Sequence, residues 1–282
     1  MNKIIDSFLW FNEVEILKMR LYEVGDIVDH FLLVEANHTH SGKPRDLLFP
    51  TLVDDPIVKK YLDKIEHCVV DDYPCTGYMP GNTERSWKNE NHHRRSISRF
   101  INKFDDNDIL IVSDGDEFIK RSVMQEMRDA LSDSTIYGML PIGIEQTMYS
   151  CTFKNPVGGW MGPKIATVGY CKNHDLHDFR TVACTSVLSG GKPLGGGWHL
   201  SSFGGAEKVK EKIESWGHQE FNKPAVLENL DWRIKENKDI FGRDNSVAPA
   251  NDGVGSNEKK EDTEIEWDNM PQMVIDNKEE YK

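Results

Sequence analysis

Three carboxylates crowd into four positions where the apolar run Ile109-Leu110-Ile111-Val112-Ser113 ends: Asp114, Asp116 and Glu117, with Gly115 between the aspartates. Like charges held this close repel, so the pattern asks for a cation. Two aspartates on a tight turn offer hard oxygen ligands that suit Mg²⁺ or Mn²⁺ without filling its shell, and the open positions suit water and a diphosphate. Such an ion would also stabilise charge on a departing phosphate. Gly115 lets the backbone bend with no side chain over the ligand. The plainer alternative is a solvated acidic turn whose Glu117 favours the positive end of the following helix. The chain carries its own control. Asp106-Asn107-Asp108 has the same spacing but precedes the strand, whereas open α/β sheets bind ligands beyond the carboxyl ends of their strands.

The elements that must position this turn are legible as alternation. "KIIDSFLWF" reads as a buried strand, and Asn12 with Glu15 resembles a capping box opening a helix whose Val14, Leu17, Leu21 and Val24 share a face, closed by Gly25. His30–Ala36 and Ile65–Val70 read as strands, and Glu84–Phe104 as a helix. After the aspartyl turn, Ser122 and Gln125 suggest a second capping box and a helix to about Leu131. Near-continuous apolar strands alternating with helices predict an α/β fold with a mainly parallel central sheet. From residue 133 glycines and aromatics interleave, which suits short antiparallel strands and ligand-lining loops. Helices are expected over 206–216 and 225–238.

With 282 residues and 38% apolar content, the chain can bury a sizeable core. A net charge of -13 argues against nucleic acid, whose binding depends on Lys and Arg neutralising phosphates. The five cysteines form no C-x-x-C pair, which suits reduced thiols. No signal-peptide pattern or membrane-length apolar run is visible, so a soluble, cytoplasmic protein without a membrane span is expected. One domain is expected, divided into an alternating half (1–132), a Gly- and aromatic-rich half (133–242), and an acidic excursion with a C-terminal docking tail (243–282).

Several segments resemble glycosyltransferase family 17, in order: "DSFLWFNEVEILKMRLYEV", "FLLVEANHTHSGKPRDLLF", Trp87-x-x-Glu90-x-x-x-Arg94, "ILIVSDGDE", "GGWHLSSFGG" and "SWGHQEFN". That family includes the bisecting N-acetylglucosaminyltransferase of N-glycan processing. The resemblance implies a GT-A-type, Rossmann-like nucleotide-sugar-binding fold, a UDP-sugar donor (typically UDP-GlcNAc), a divalent cation, a carbohydrate acceptor and inversion at the anomeric carbon. It also implies that the first half (1–132) binds the nucleotide-sugar and that the second (133–242) holds the acceptor and the catalytic base. Gly115 stands where other members often carry a larger residue.

Roles follow from that implication. Asp116 is the first choice for Mn²⁺ or Mg²⁺; Asp114 is expected to touch the metal or the donor ribose, and His199 to supply a third ligand. Asn12, Glu13 and Glu35 end the first two strands where the nucleotide is expected, although capping alone would explain Asn12. Lys43 is a candidate for donor phosphate. Arg94 is another, with a same-face pair to Glu90 as its alternative. The base that takes the acceptor proton is sought in Glu207, then Glu220. Trp160, Trp198 and Phe203 are candidates for a sugar platform. The rival chemistries are a metal-dependent phosphoesterase using His38, His40, His174 and His177, and a glycan-binding protein without turnover.

Overall fold

The structure, a computed structural model, describes residues 2–181, 195–243 and 264–281. β1 (Ile4–Trp10) is buried on both faces, with Ile4, Phe8 and Trp10 toward one side and Ile5 and Leu9 toward the other. α1 (Val14–Val24), β2 (His30–Ala36), α2 (Pro56–Lys60), β3 (Ile65–Val70), α3 (Thr83–Ser96) and β4 (Ile109–Asp114) follow. β5 (Glu117–Ile119) and α4 (Arg121–Ser132) come directly after the aspartyl turn. The second half adds β6 (Ile142–Ser150), β7 (Pro156–Thr167), α5 (Val168–Lys172), α6 (Leu176–Thr181), β8 (Gly197–Ser201) and α7 (Gly205–Ser215), then α8 (Pro224–Leu227), α9 (Leu230–Lys235) and α10 (Gln272–Asp276). Leu17 and Leu21 of α1 and Met127 of α4 pack with Phe8, while Ile97, Cys171 and Phe179 cover the Ile5 face. Helices on both faces make this a mixed α/β fold.

Among the described residues eight strands form one sheet, in the order β3-β2-β1-β4-β7-β6-β8-β5. β3, β2, β1 and β4 run parallel; β7 is antiparallel to β4 and β6, and β8 is parallel to β6 but antiparallel to β5. The mainly parallel sheet expected from the alternation is therefore confined to the first half, because the β6–β7 hairpin reverses the chain. The order has a geometric consequence. Four strand spacings would separate β4 from β5 by about 19 Å in a flat sheet, yet the step from Asp114 to Glu117 reaches at most about 11 Å. The sheet must curl so that β5 returns beside β4. The aspartyl turn is the short link that closes this curl.

Local expectations needed correction. Asn12 does not cap α1; Glu13 occupies the cap position, and its Oε2 accepts from the backbone N–H groups of Phe11 (3.0 Å) and Asn12 (3.1 Å). The Ser122 capping box does not form, because α4 begins at Arg121, whose N–H donates to Oε1 of Glu23 at 2.9 Å. α3 starts from an Asn82 cap and tightens into a 3₁₀ turn at Ile97–Arg99 rather than running to Phe104. The helix expected over 225–238 is broken into α8 and α9, with Asn229 Nδ2 donating back to the Ala225 carbonyl at 2.9 Å. The acidic excursion lies mostly outside the described residues. The tail beyond it packs Met270, Met273 and Val274 against Ile16, Met19 and Trp198. No helix of the described residues is long and apolar enough to cross a membrane.

Gly25 closes α1 with ordinary right-handed φ (-59°), so its glycine serves closeness rather than a left-handed turn. A Cβ there would lie 2.4 Å from the Leu21 carbonyl oxygen and 2.6 Å from the Tyr61 ring. Gly25→Ala is expected to destabilise the fold by about 1–3 kcal/mol through overpacking, read as a lowered urea midpoint at unchanged slope.

Candidate active site

The cations that the crowded carboxylates ask for are present as side chains. Asp114, at the end of β4, has Oδ1 3.0 Å from Nη2 of Arg94 on α3 and Oδ2 3.1 Å from Nη2 of Arg180 on α6. Asp116 has Oδ2 2.7 Å from Nζ of Lys212 on α7 and 3.6 Å from Nε2 of His199 on β8. Glu117 is fully buried, paired with Arg180 and accepting from Nε1 of Trp160 at 2.6 Å. Beneath the turn, Arg20 of α1 donates to both oxygens of Asp6 (2.8 and 2.9 Å) and to the backbone carbonyls of Asp114 and Glu117. Burial pushes the Asp114 and Asp116 carboxyls up, but these neighbouring cations outweigh it and hold both well below the usual carboxylate range. Gly115 is pressed against β1: a Cβ there would stand 2.7 Å from the Leu9 carbonyl oxygen.

A cavity of about 600 Å³ opens over the carboxyl ends of β1, β2 and β4. Of the residues singled out from sequence, Glu13, Arg94, Asp114, Asp116, His199 and Glu220 line it. Asn12 lies outside its lining, donating Nδ2 to Glu211 at 2.6 Å. Glu35 is fully buried and pins the loop after β2, accepting from Arg45 (3.0 Å), the N–H groups of Leu48 (2.7 Å) and Phe49 (3.2 Å), and meeting His67 at 2.8 Å. Lys43 faces solvent, and Arg45 reaches the cavity in its place. Glu207 is exposed on the first turn of α7, outside the lining.

Four residues of the cavity lining carry a buried polar atom with no hydrogen-bond partner among the described residues: Trp10 Nε1, Tyr73 Oη, His199 Nδ1 and Trp216 Nε1. Native proteins pair nearly all such groups, so four orphans among the residues of one cavity mark a place for a hydrogen-bonding ligand.

The sequence model of glycosyltransferase family 17 matches residues 1–282. The chain belongs to that family. The rat and human enzymes named beta-1,4-mannosyl-glycoprotein 4-beta-N-acetylglucosaminyltransferase are each 26% identical over 220 residues, covering 71% of this chain and 40% of theirs. The chain thus spans well under half the length of the curated relatives it matches. Among solved structures, S. aureus TarS 1–349 is similar at 10% identity and TM-score 0.38, covering 75% of this chain and 63% of that one. Mouse xyloside xylosyltransferase 1 gives 10% identity and TM-score 0.29, covering 63% and 70%. At such low TM-scores these two likenesses carry no argument.

In this family 17 chain the motif Trp87, Glu90 and Arg94 lies along one face of α3, and all three residues line the cavity. The mouth is walled by Trp87, Trp216, Phe221 and Phe241, with Trp216 stacked on Phe241 at 5.4 Å. Of the aromatics expected as a platform, only Trp160 lines the cavity, tilted against His199 at 4.8 Å. Trp198 packs on Phe118 at 5.2 Å and Phe203 on Phe153 at 5.0 Å. The two histidine pairs do not come together: His38 and His40 line the cavity, His40 with Nδ1 3.5 Å from Glu90, whereas His174 stacks on Tyr170 at 3.8 Å and Nδ1 of His177 meets Arg94 at 3.3 Å.

Among the described residues no three His, Cys, Asp or Glu side chains form a ready-made metal cage. The donor chemistry at Asp116 nevertheless suits a shared ion. Its Oδ1 has no partner among the described residues, and the nitrogen that His199 turns toward it is Nε2, 3.6 Å from Oδ2. One carboxylate and one imidazole leave the remaining positions of a Mg²⁺ or Mn²⁺ shell to phosphate and water. Arg180 and Lys212 are not legible as site residues, because Arg180 sits on the six-residue α6 and Lys212 is one of several lysines along the amphipathic α7.

Proposed function

We propose that this chain is a metal-dependent inverting glycosyltransferase of GT-A type, moving N-acetylglucosamine from a UDP donor to a carbohydrate hydroxyl. One observation carries the reading. A paired-aspartate turn and the cations Arg94, Arg180 and Lys212 meet in one cavity beyond the carboxyl ends of parallel strands. Family membership supports sugar transfer as the reaction, and the names of the rat and human relatives support the sugar.

Asp116 and His199 would hold Mn²⁺ or Mg²⁺, which when bound supplies Lewis-acid stabilisation of the leaving diphosphate. Arg94 and Arg180 fix Asp114 as an anion and place positive charge where the diphosphate develops its own. Arg45 lies over the Phe11 ring at 4.6 Å and shapes the end of the cavity above β1 and β2, which we assign to the nucleoside. The opposite end, with its aromatic wall, is assigned to the acceptor.

Glu220 lies at that acceptor end, its Oε1 2.7 Å from Nδ1 of His218, and Thr83 Oγ1 donates to its Oε2 at 3.4 Å. Of the two carboxylates named from sequence it alone reaches the cavity, and it is assigned the acceptor proton. Glu220→Gln is expected to lower kcat by roughly 100-fold with the donor KM unchanged, the scale of a lost general base. Steady-state kinetics at saturating acceptor read this directly.

The test of the whole reading is UDP release from a panel of UDP-sugars, with Mn²⁺ and with EDTA, coupled to product analysis on labelled acceptors. Mn²⁺-dependent release selective for UDP-GlcNAc, with sugar appearing on acceptor, supports it. Hydrolysis of simple phosphate esters without donor preference would instead identify a phosphoesterase, and saturable glycan binding indifferent to EDTA and nucleotide would identify a lectin.

A further inference from the structure

We propose that Lys212 is an exchangeable counter-ion, holding the Asp116 carboxylate while the divalent ion is away and passing from Asp116 to the donor's diphosphate when the ion arrives. The proposal rests on the metal reading above and extends it to α7.

The geometry carries it in three steps. First, the Lys212 ammonium sits 2.7 Å from Oδ2 of Asp116, the carboxylate that the reading gives to the metal. The side chains are 22% and 8% exposed, so repulsion between an ammonium and a divalent ion on the same carboxylate would be poorly screened. Second, Lys212 differs from the other cations of the site. Arg94 bridges Glu90 and Asp114, and Arg180 bridges Asp114 and Glu117. Among the described residues Lys212 makes one ion pair, and its ammonium is a compact three-donor group on a flexible stem, free to swing where a guanidinium fork held by two carboxylates is not.

Third, Lys212 lines the same cavity as Asp114, Asp116 and Glu13. These are the carboxylates that face it, and its next aromatic neighbour is Trp216, with the ring centroid 6.0 Å from Nζ. An ammonium displaced from Asp116 would remain among anions inside the cavity, beside the phosphates that arrive with the ion. Metal and nucleotide affinities are thereby coupled through one side chain, and the coupling is reciprocal.

Mn²⁺ alone is titrated into wild type and Lys212→Gln, with free Mn²⁺ followed by electron paramagnetic resonance, and UDP is then titrated at saturating Mn²⁺. The variant is expected to bind Mn²⁺ at least tenfold more tightly than wild type, because the competitor is gone, and UDP at least tenfold more weakly. Equal Mn²⁺ affinities would overturn the exchange and leave the metal reading standing. Absence of Mn²⁺ binding in either protein, with or without UDP, would remove both. A variant-free measurement guards against misfolding. Acetic anhydride footprinting of the wild type should modify Lys212 several-fold faster with Mn²⁺ than without, and slow again once UDP is added. An Mn²⁺-independent rate overturns the exchange.

Discussion

Asp116→Asn is expected to lower Mn²⁺-dependent kcat/KM by about 100- to 1000-fold, the scale on which a lost electrostatic group at a developing charge is felt. Asparagine keeps the shape and can still hydrogen-bond His199, so the change isolates charge from packing. Asp114→Asn is a different experiment, because Asp114 ties Arg94 to Arg180 and its loss leaves two nearly buried guanidinium groups facing each other. Fold damage is expected there, and comparatively little in Asp116→Asn, where Lys212 has a flexible stem and an exit to solvent. The pH dependence separates the two roles further. Both aspartates have lowered pKa values in the fold, so their stabilisation is present above the unfolded carboxylate range and lost as pH falls through the lowered values. Asp116→Asn should remove its share of that acid-side loss while lowering activity at neutral pH by the factor given above. UDP release across Mn²⁺ concentrations, beside thermal melts from acid to neutral pH, tests both statements. A variant with wild-type rate at saturating Mn²⁺ would remove Asp116 from the metal.

The residues legible in the sequence share a local signature. Asp114 and Asp116 announce themselves through a buried strand that ends in charge, and Trp87, Glu90 and Arg94 through helical spacing on one face. Strands β1, β2 and β4 are legible because two-sided burial needs continuous apolar runs. Glu35 shows where local reading fails. Its place at the end of β2 is as expected, but the Leu48 and Phe49 N–H groups that consume it come from a loop whose path no spacing encodes. Lys212 and Arg180 are illegible for the same reason. On α7 the string "EKVKEKIE" is amphipathic with one lysine facing inward, and only the docking of α7 over the β1 and β4 ends decides which. β7 runs antiparallel as expected of the second half, but its place beside β4 is not legible, since the segment has no alternation sharp enough to fix its partner.

Arg20→Met is expected to cost about 3–5 kcal/mol, the loss that follows when one member of a buried ion pair is left alone. Both side chains are almost fully buried, and Arg20 also lies 4.1 Å from the centroid of the Phe8 ring. Burial already pushes the Asp6 carboxyl above its usual range, with Arg20 pulling it back. Removing Arg20 leaves burial unopposed, so Asp6 in the variant should titrate higher still. The sign is fixed by linkage: with a raised folded pKa, the contribution is fully present below the unfolded pKa and is lost as pH rises through the folded one. The variant's deficit against wild type should therefore shrink as pH falls toward 4 and widen toward neutrality, opposite to the aspartates of the turn. Arg20→Met combined with Asp6→Leu should recover most of the stability, because the uncompensated charge is gone and the volume is filled. What the double variant should not recover is activity. Arg20 donates to the Asp114 and Glu117 carbonyls on either side of the turn, and an apolar pair in its place cannot hold β4 and β5 together at the point where the sheet closes. Urea denaturation between pH 4 and 8, with UDP release on the same samples, distinguishes a pair that only stabilises the core from one that also sets the aim of Asp116.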